Sequence, residues 1–174
     1  MKQVIWKLFT DHEKEEKWLN EMSQKGLQLV HYTPGRYLFE EGQQGHYIYR
    51  IELLDQLPSH PESRAYIRFM EEAGAEYVTH ILRWVYFRKK ASDGPFELYT
   101  DRESRMTHHK RIMTLYGVLG GVNIVTGINI VHNSTPGLGL LPYTNLLLGF
   151  LFARIAYGQW VKIKRLKADE ELFQ

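Results

Sequence analysis

The chain has 174 residues, with 22 Lys and Arg against 20 Asp and Glu, 44% apolar residues and no cysteine. A net charge of +2 gives no field to draw nucleic acid or an acidic substrate. The missing thiol removes disulfides, thiolate catalysis and cysteine-ligated zinc.

The charge is unevenly spread. Residues 1–100 hold 13 basic and 15 acidic side chains, a net of −2, and residues 112–153 hold none. The stretch 154–174 is basic and then acidic. The chain therefore divides into a polar domain (1–100), a basic juxtamembrane helix (101–111), an apolar block (112–161) and a tail (162–174).

In chain order, "KQVIWKLFT" (Lys2–Thr10) predicts a strand. Its bunched Val4, Ile5, Trp6, Leu8 and Phe9 predict burial on both faces for part of its length. The run is too short for the apolar core of a signal sequence and carries no small-residue cleavage site, so the first domain is expected to stay in the cytoplasm. "DHEKEEKWLNEMSQKG" (Asp11–Gly26) predicts a helix, with Asp11 or Thr10 as cap, acids in its first turn and Gly26 at its end. Trp18, Leu19 and Met22 form its apolar stripe, and the acid cluster of Glu13 to Glu21 reads as a solvated face.

Three segments with period-two alternation follow: "LQLVHYT", "GRYLFEEG" and "HYIYRIELL". "PESRAYIRFMEEAG" (Pro61–Gly74) predicts a second helix, proline first and glycine last. Its expected apolar face is Ala65, Tyr66, Phe69 and Met70. "EYVTHILRWVYFRKK" (Glu76–Lys90) predicts one or two strands, and "FELYT" a last short one. The order β-α-β-β-β-α-β-β predicts an α+β fold: a mostly antiparallel sheet with two helices, ferredoxin-like or a related sandwich. No internal repeat is visible.

Four pieces are distinctive: "EEKWLNEMSQKG" (15–26), "GRYLFE" (35–40), "YIYRIELL" (47–54) and "RWVYFRKK" (83–90). Over roughly residues 4–110 the chain resembles an uncharacterised bacterial family, domain of unknown function 2812. The resemblance implies a cytoplasmic domain commonly followed by membrane helices. A PadR-type regulator encoded nearby, as the family suggests, would imply membrane-linked regulation. It carries no established catalytic residues.

"IMTLYGVLGGVNIVTGINIV" (112–131) and "LLPYTNLLLGFLFARIAYGQWV" (140–161) are each long enough to span roughly 30 Å of hydrocarbon. A soluble pair of core helices would need a wetted face, which 42 residues without charge do not offer. Glycines and the asparagines 123 and 129 suit close packing and bonds across an interface with the second helix or a partner copy. Basic flanks stand at His108, His109, Lys110 and Arg111 before the first helix, and at Lys162, Lys164, Arg165 and Lys167 after the second. The link "HNSTPGLG" has no Lys or Arg. The positive-inside rule then predicts a multi-pass cell-membrane protein with both termini cytoplasmic. Tyr157 and Trp160 suit an inner aromatic belt, Tyr143 an outer one. Arg154 either snorkels to the inner interface or faces the helix pair.

No P-loop, nucleotide fingerprint, G-x-S-x-G or spaced metal-ligand set appears, so no cofactor, metal or catalytic residue is assigned and no enzyme is expected. The aromatics on the strands are either core and cross-strand partners or an exposed binding face. In the second case Tyr37, Tyr49 and Trp84 would lie beside Arg36, Arg50 and Arg83 as a site for a peptide or small ligand. The domain's negative charge argues against RNA on such a face. The expected function is a membrane-anchored cytoplasmic interaction or sensing domain, regulatory in role. Its partners would be membrane lipid and a protein, or another copy met through the transmembrane helices. The alternatives are an accessory subunit of a membrane complex, or an enzyme pairing Glu52 with Arg36 or Arg50.

Overall fold

A computed structural model describes residues 1–99, 101–133 and 140–171, excepting the side chains of 141, 142 and 169–171. The expected hairpin turn, residues 134–139, lies outside them. The chain forms two compact units, Met1–Thr100 and Asp101–Gln174.

The first unit runs β1 (Lys2–Trp6), α1 (His12–Gln24), β2 (Leu27–Thr33), β3 (Arg36–Glu41), β4 (Tyr47–Leu53), α2 (Pro61–Glu72), β5 (Glu76–Ile81) and β6 (Trp84–Lys90). This is the expected α+β order, but the strands form two antiparallel three-stranded sheets, β1-β3-β2 and β4-β6-β5. Phe96–Tyr99 is not a strand; Phe96 is instead a buried residue of the second core cluster.

Each sheet is built by a β-α-β-β run with its third strand in the middle. The two halves superpose in sequence at a spacing of 48 residues: His12 and His60, Met22 and Met70, Gly26 and Gly74, Val30 and Val78, and Phe39 and Phe87 are identical pairs. The register carries the same relation. Leu29 faces Phe39 before a shift at residue 30, and Tyr77 faces Phe87 before a shift at residue 78. Gly26 and Gly74 follow the two helices at φ +80° and +89°, a left-handed conformation that glycine alone adopts without cost. Equivalent residues even meet: Thr79 Oγ1 lies 3.2 Å from His31 Nδ1. The first unit is therefore a structural duplication of one β-α-β-β plan, which five identities scattered over each half do not betray in a single sequence.

The halves are unequally buried. One core cluster joins Trp18, Leu19 and Met22 of α1 to Leu29, Tyr37 and Phe39 of the first sheet and Tyr49, Ile51 and Tyr86 of the second. A second cluster holds Met70, Val85 and Phe87, with Tyr66 and Ile67 packed on it. The inward stripe of α2 is thus Ser63, Tyr66, Ile67 and Met70; Ala65 and Phe69 are exposed, correcting the expected face. The second sheet is covered on both sides. The first is not, and β1 is its edge rather than a doubly buried strand: Val4, Trp6 and Leu8 are 40, 72 and 81% exposed.

The second unit is an antiparallel pair, α3 (Arg102–Asn133) and α4 (Leu141–Glu171). Tyr116 meets Phe152 with ring centroids 5.7 Å apart. A Cβ on Gly127 would come within 2.7 Å of Leu146, and one on Gly149 within 2.6 Å of Ile124. Glycines 120, 127 and 149 therefore set the close approach, whereas Gly117, Gly121 and Gly158 meet nothing. Among the described residues the asparagines of α3 bond within their own helix: Asn123 Nδ2 donates to Leu119 O, and Asn133 Nδ2 to Asn129 O.

Candidate functional site

Helix α1 starts where Asp11 Oδ1 accepts the Glu13 amide at 3.1 Å, satisfying one of the helix's unpaired donors. Two stripes of this helix decide how the domain is held. The first is Glu15, Trp18, Leu19 and Met22. Glu15 is 7% exposed, and its Oε1 accepts the hydroxyls of Tyr37 and Tyr86, both at 2.7 Å. One carboxylate oxygen thus ties α1 to both sheets. Tyr32 stacks on Tyr37 at 4.6 Å and lies 5.1 Å from Tyr86, while the Lys7 ammonium sits over the rings of Phe9 and Trp18. Burial pushes the Glu15 carboxyl up, and the two hydroxyls offset part of that rise. Burial and then the Glu15 charge raise the Tyr37 and Tyr86 hydroxyls far above their ordinary range, so they stay protonated donors.

This corrects the reading of Glu13–Glu21 as a wholly solvated face. The signal was present: Glu15 stands three, four and seven residues before Trp18, Leu19 and Met22, on the same side of a helix.

The second stripe is Glu16, Asn20 and Ser23, which closes the outer edge of β4. Tyr49 donates its amide to Asn20 Oδ1 at 2.7 Å, and Asn20 Nδ2 returns a bond to Tyr49 O at 3.2 Å. Ile51 donates to Glu16 Oε2 at 3.0 Å, and Ser23 Oγ donates to Tyr47 O at 2.7 Å. Asn and Ser are poor mid-helix residues, and their helical spacing with a glutamate is a sequence signature of side chains turned to backbone. Arg50 Nη1 pairs with Glu16 Oε1 at 3.2 Å. Burial raises the Glu16 carboxyl to about 7 against the opposing pull of Arg50.

The six residues expected as a binding face do not share one. Tyr37 and Tyr49 are fully buried core. The Tyr49 hydroxyl takes the Leu29 amide at 2.9 Å. Trp84 is half-buried with His12 at 5.4 Å. Arg83 Nη1 donates to Asp55 O at 2.8 Å, and Arg36 stands opposite Trp6 in the β1–β3 register. The strand aromatics are core because each sheet turns its rings onto α1 or α2. Glu52, the acid of the enzymatic alternative, is buried and accepts the Tyr66 hydroxyl, while Arg50 is held by Glu16.

Among the described residues the edge of β1 stays open. Lys7 N donates to Gly35 O and Glu41 N to Met1 O, so odd-numbered residues of β1 bond to β3. By antiparallel alternation, the backbone groups of Lys2, Val4 and Trp6 point outward. Those same residues carry exposed side chains.

In the second unit, α3 and α4 are long and apolar enough to cross a membrane, and only 11 and 17% of their most apolar windows are buried. Val118, Val122, Val125, Ile128, Leu147 and Phe150 face outward. The antiparallel pairing brings Lys110 and Arg111 to the same end as Lys162, Lys164, Arg165 and Lys167. His108 and His109 are not free flanking charges: His108 is buried, and His109 Nδ1 donates to Gln159 Oε1 at 2.8 Å. Arg154 is exposed rather than packed on α3. Tyr157 and Trp160 stack at 5.6 Å, and Tyr143 is exposed at the other end of α4. Among the described residues no cluster could hold a metal ion.

The model of one family, described as protein of unknown function (DUF2812), matches residues 11–120. No curated protein and no solved structure matches the chain.

Proposed function

The chain belongs to the DUF2812 family, and from its geometry we propose a membrane-anchored interaction domain. The helical hairpin holds an α+β unit at the inner face of the cell membrane, both termini cytoplasmic. There the unit docks a protein partner in a regulatory role. The observation that carries the anchor is the outward-facing apolar surface of α3 and α4, since a soluble protein's core helices would be mostly buried. At about 48 Å, α3 exceeds a ~30 Å hydrocarbon layer. Its charged first turns, Arg102–Arg111, then stand in the cytoplasm as a stem. A protein partner is favoured over a small ligand because the strand aromatics are consumed by the core, whereas the β1 edge is not.

Two measurements test the reading. The chain should stay with membranes through alkaline carbonate and leave only with detergent; release by carbonate would overturn the anchor. Because the chain lacks cysteine, Lys14→Cys, Thr135→Cys and Lys167→Cys each introduce a single thiol. An impermeant maleimide applied outside intact cells should label only Thr135→Cys. Labelling of Lys14→Cys would reverse the orientation.

A further inference from the structure

The duplication supplies a comparison within one molecule. β4 and β1 are equivalent first strands, and each is the edge of its sheet. The β4 edge is closed by Glu16, Asn20 and Ser23 of α1. The residues 48 positions on are Arg64, Arg68 and Glu71 of α2. They are exposed, and their side chains make no hydrogen bond or ion pair among the described residues. The device that closes one edge is therefore missing at the other, although the strand it would close exists.

Proteins blunt free edges with short strands, lysine, proline, bulges or inward charge. β1 is five residues long and carries Lys2, but it has no proline, runs in unbroken register with β3 from Lys2 to Trp6, and exposes valine and tryptophan at its other outward-bonding positions.

We propose that the β1 edge pairs with the β1 edge of a second copy of this chain, antiparallel about a two-fold axis at Val4. This rests on the partner-docking half of the function proposed above and not on the membrane anchor. The register argues for a copy rather than a foreign strand because it is self-complementary. Val4 meets Val4 of the other copy. Lys2 meets Trp6 and Trp6 meets Lys2, placing an ammonium against an indole face twice, the favoured cation–π arrangement. The rows continue inward with matching sign: Glu40 stands beside Lys2 on β3, and Arg36 beside Trp6. Each facing pair exchanges two backbone bonds. The contact is isologous, so it closes on two copies and leaves no β1 edge open, joining the two first sheets into one six-stranded sheet with β2 at each end.

The test uses the full chain in detergent and in liposomes. Val4→Cys puts the only thiols across the axis at about 5.5 Å between Cα atoms, within disulfide reach. It should form a linked dimer on mild oxidation, while Glu13→Cys should not. Val4→Pro removes only an outward amide, leaves the β1–β3 bonds intact, and should make the chain monomeric by light scattering with unchanged near-ultraviolet dichroism. As a check that does not depend on proline, Trp6→Lys sets lysine against lysine and should weaken the dimer at least tenfold; adding Lys2→Glu should restore it. A monomeric parent chain, or a dimer that survives both Val4→Pro and Trp6→Lys, overturns the proposal. Carbonate resistance is unaffected by either result and reports on the anchor alone.

Discussion

Replacing Asn20 by alanine isolates the closure of the β4 edge. The amide of Asn20 serves both main-chain groups of Tyr49, at 2.7 and 3.2 Å, and Tyr49 is fully buried. Truncation leaves the Tyr49 amide without its acceptor, whereas Tyr49 O keeps the Arg50 Nη1 donor at 2.9 Å. Each orphaned group costs about 1–3 kcal/mol, and Asn20 is half-buried, so water can reach part of the gap. The edge should therefore lose about 1–2 kcal/mol. Hydrogen exchange at the Tyr49 amide should accelerate by about 5- to 30-fold, since each 1.4 kcal/mol is a factor of ten. Exchange read by mass spectrometry over residues 47–53 of the full chain in detergent measures this. Arg68→Ala, 48 residues on at an exposed position, should change exchange at β1 by less than about 0.5 kcal/mol. Protection at Tyr49 within about threefold of the parent would show that α1 does not close this edge, and the contrast drawn between the two strands would lose its basis.

Glu16 gives a pH dependence. Its carboxyl rises from 4.5 to about 7 on folding, chiefly through burial, so the native state holds the proton that the unfolded state releases. Its contribution is full below pH 4.5 and is lost as pH rises toward 7, with a ceiling of about 3 kcal/mol. Melting temperature in detergent should fall over that interval, and Glu16→Gln should flatten the fall; an unchanged slope would assign it to other groups. In the hairpin, Gly149→Leu would drive a side chain into Ile124 and the Gly120 carbonyl. It should abolish cross-linking between cysteines placed at Tyr116 and Phe152. Gly117→Leu and Gly121→Leu meet open space and should leave the cross-link intact.

The element order and the two apolar helices were legible because their signals are local: capping by Asp11, glycine after each early helix, and a run without charge. The burial of Glu15 was not, because a glutamate inside "EKEEK" matches a solvated face until its spacing to Trp18 is weighed. β1 misled for the opposite reason. Five apolar residues suggest an interior strand, but which strand lies at an edge is set by pairing between distant segments. The histidines 108 and 109 read as flanking charge because Gln159, which fixes one of them, is 50 residues away.

The two halves share a trace but not a burden. At equivalent positions, the second half meets protein on both sides of its sheet and the first meets it on one, so selection acts on matched sites under different rules. Position 86 holds a buried tyrosine bonded to Glu15, while its counterpart, Leu38, lies only half-buried. A complete substitution scan should therefore show no symmetry at the spacing of the repeat: the outward residues of the first half should accept wide change at no loss of folding, with any penalty surfacing only when chains meet.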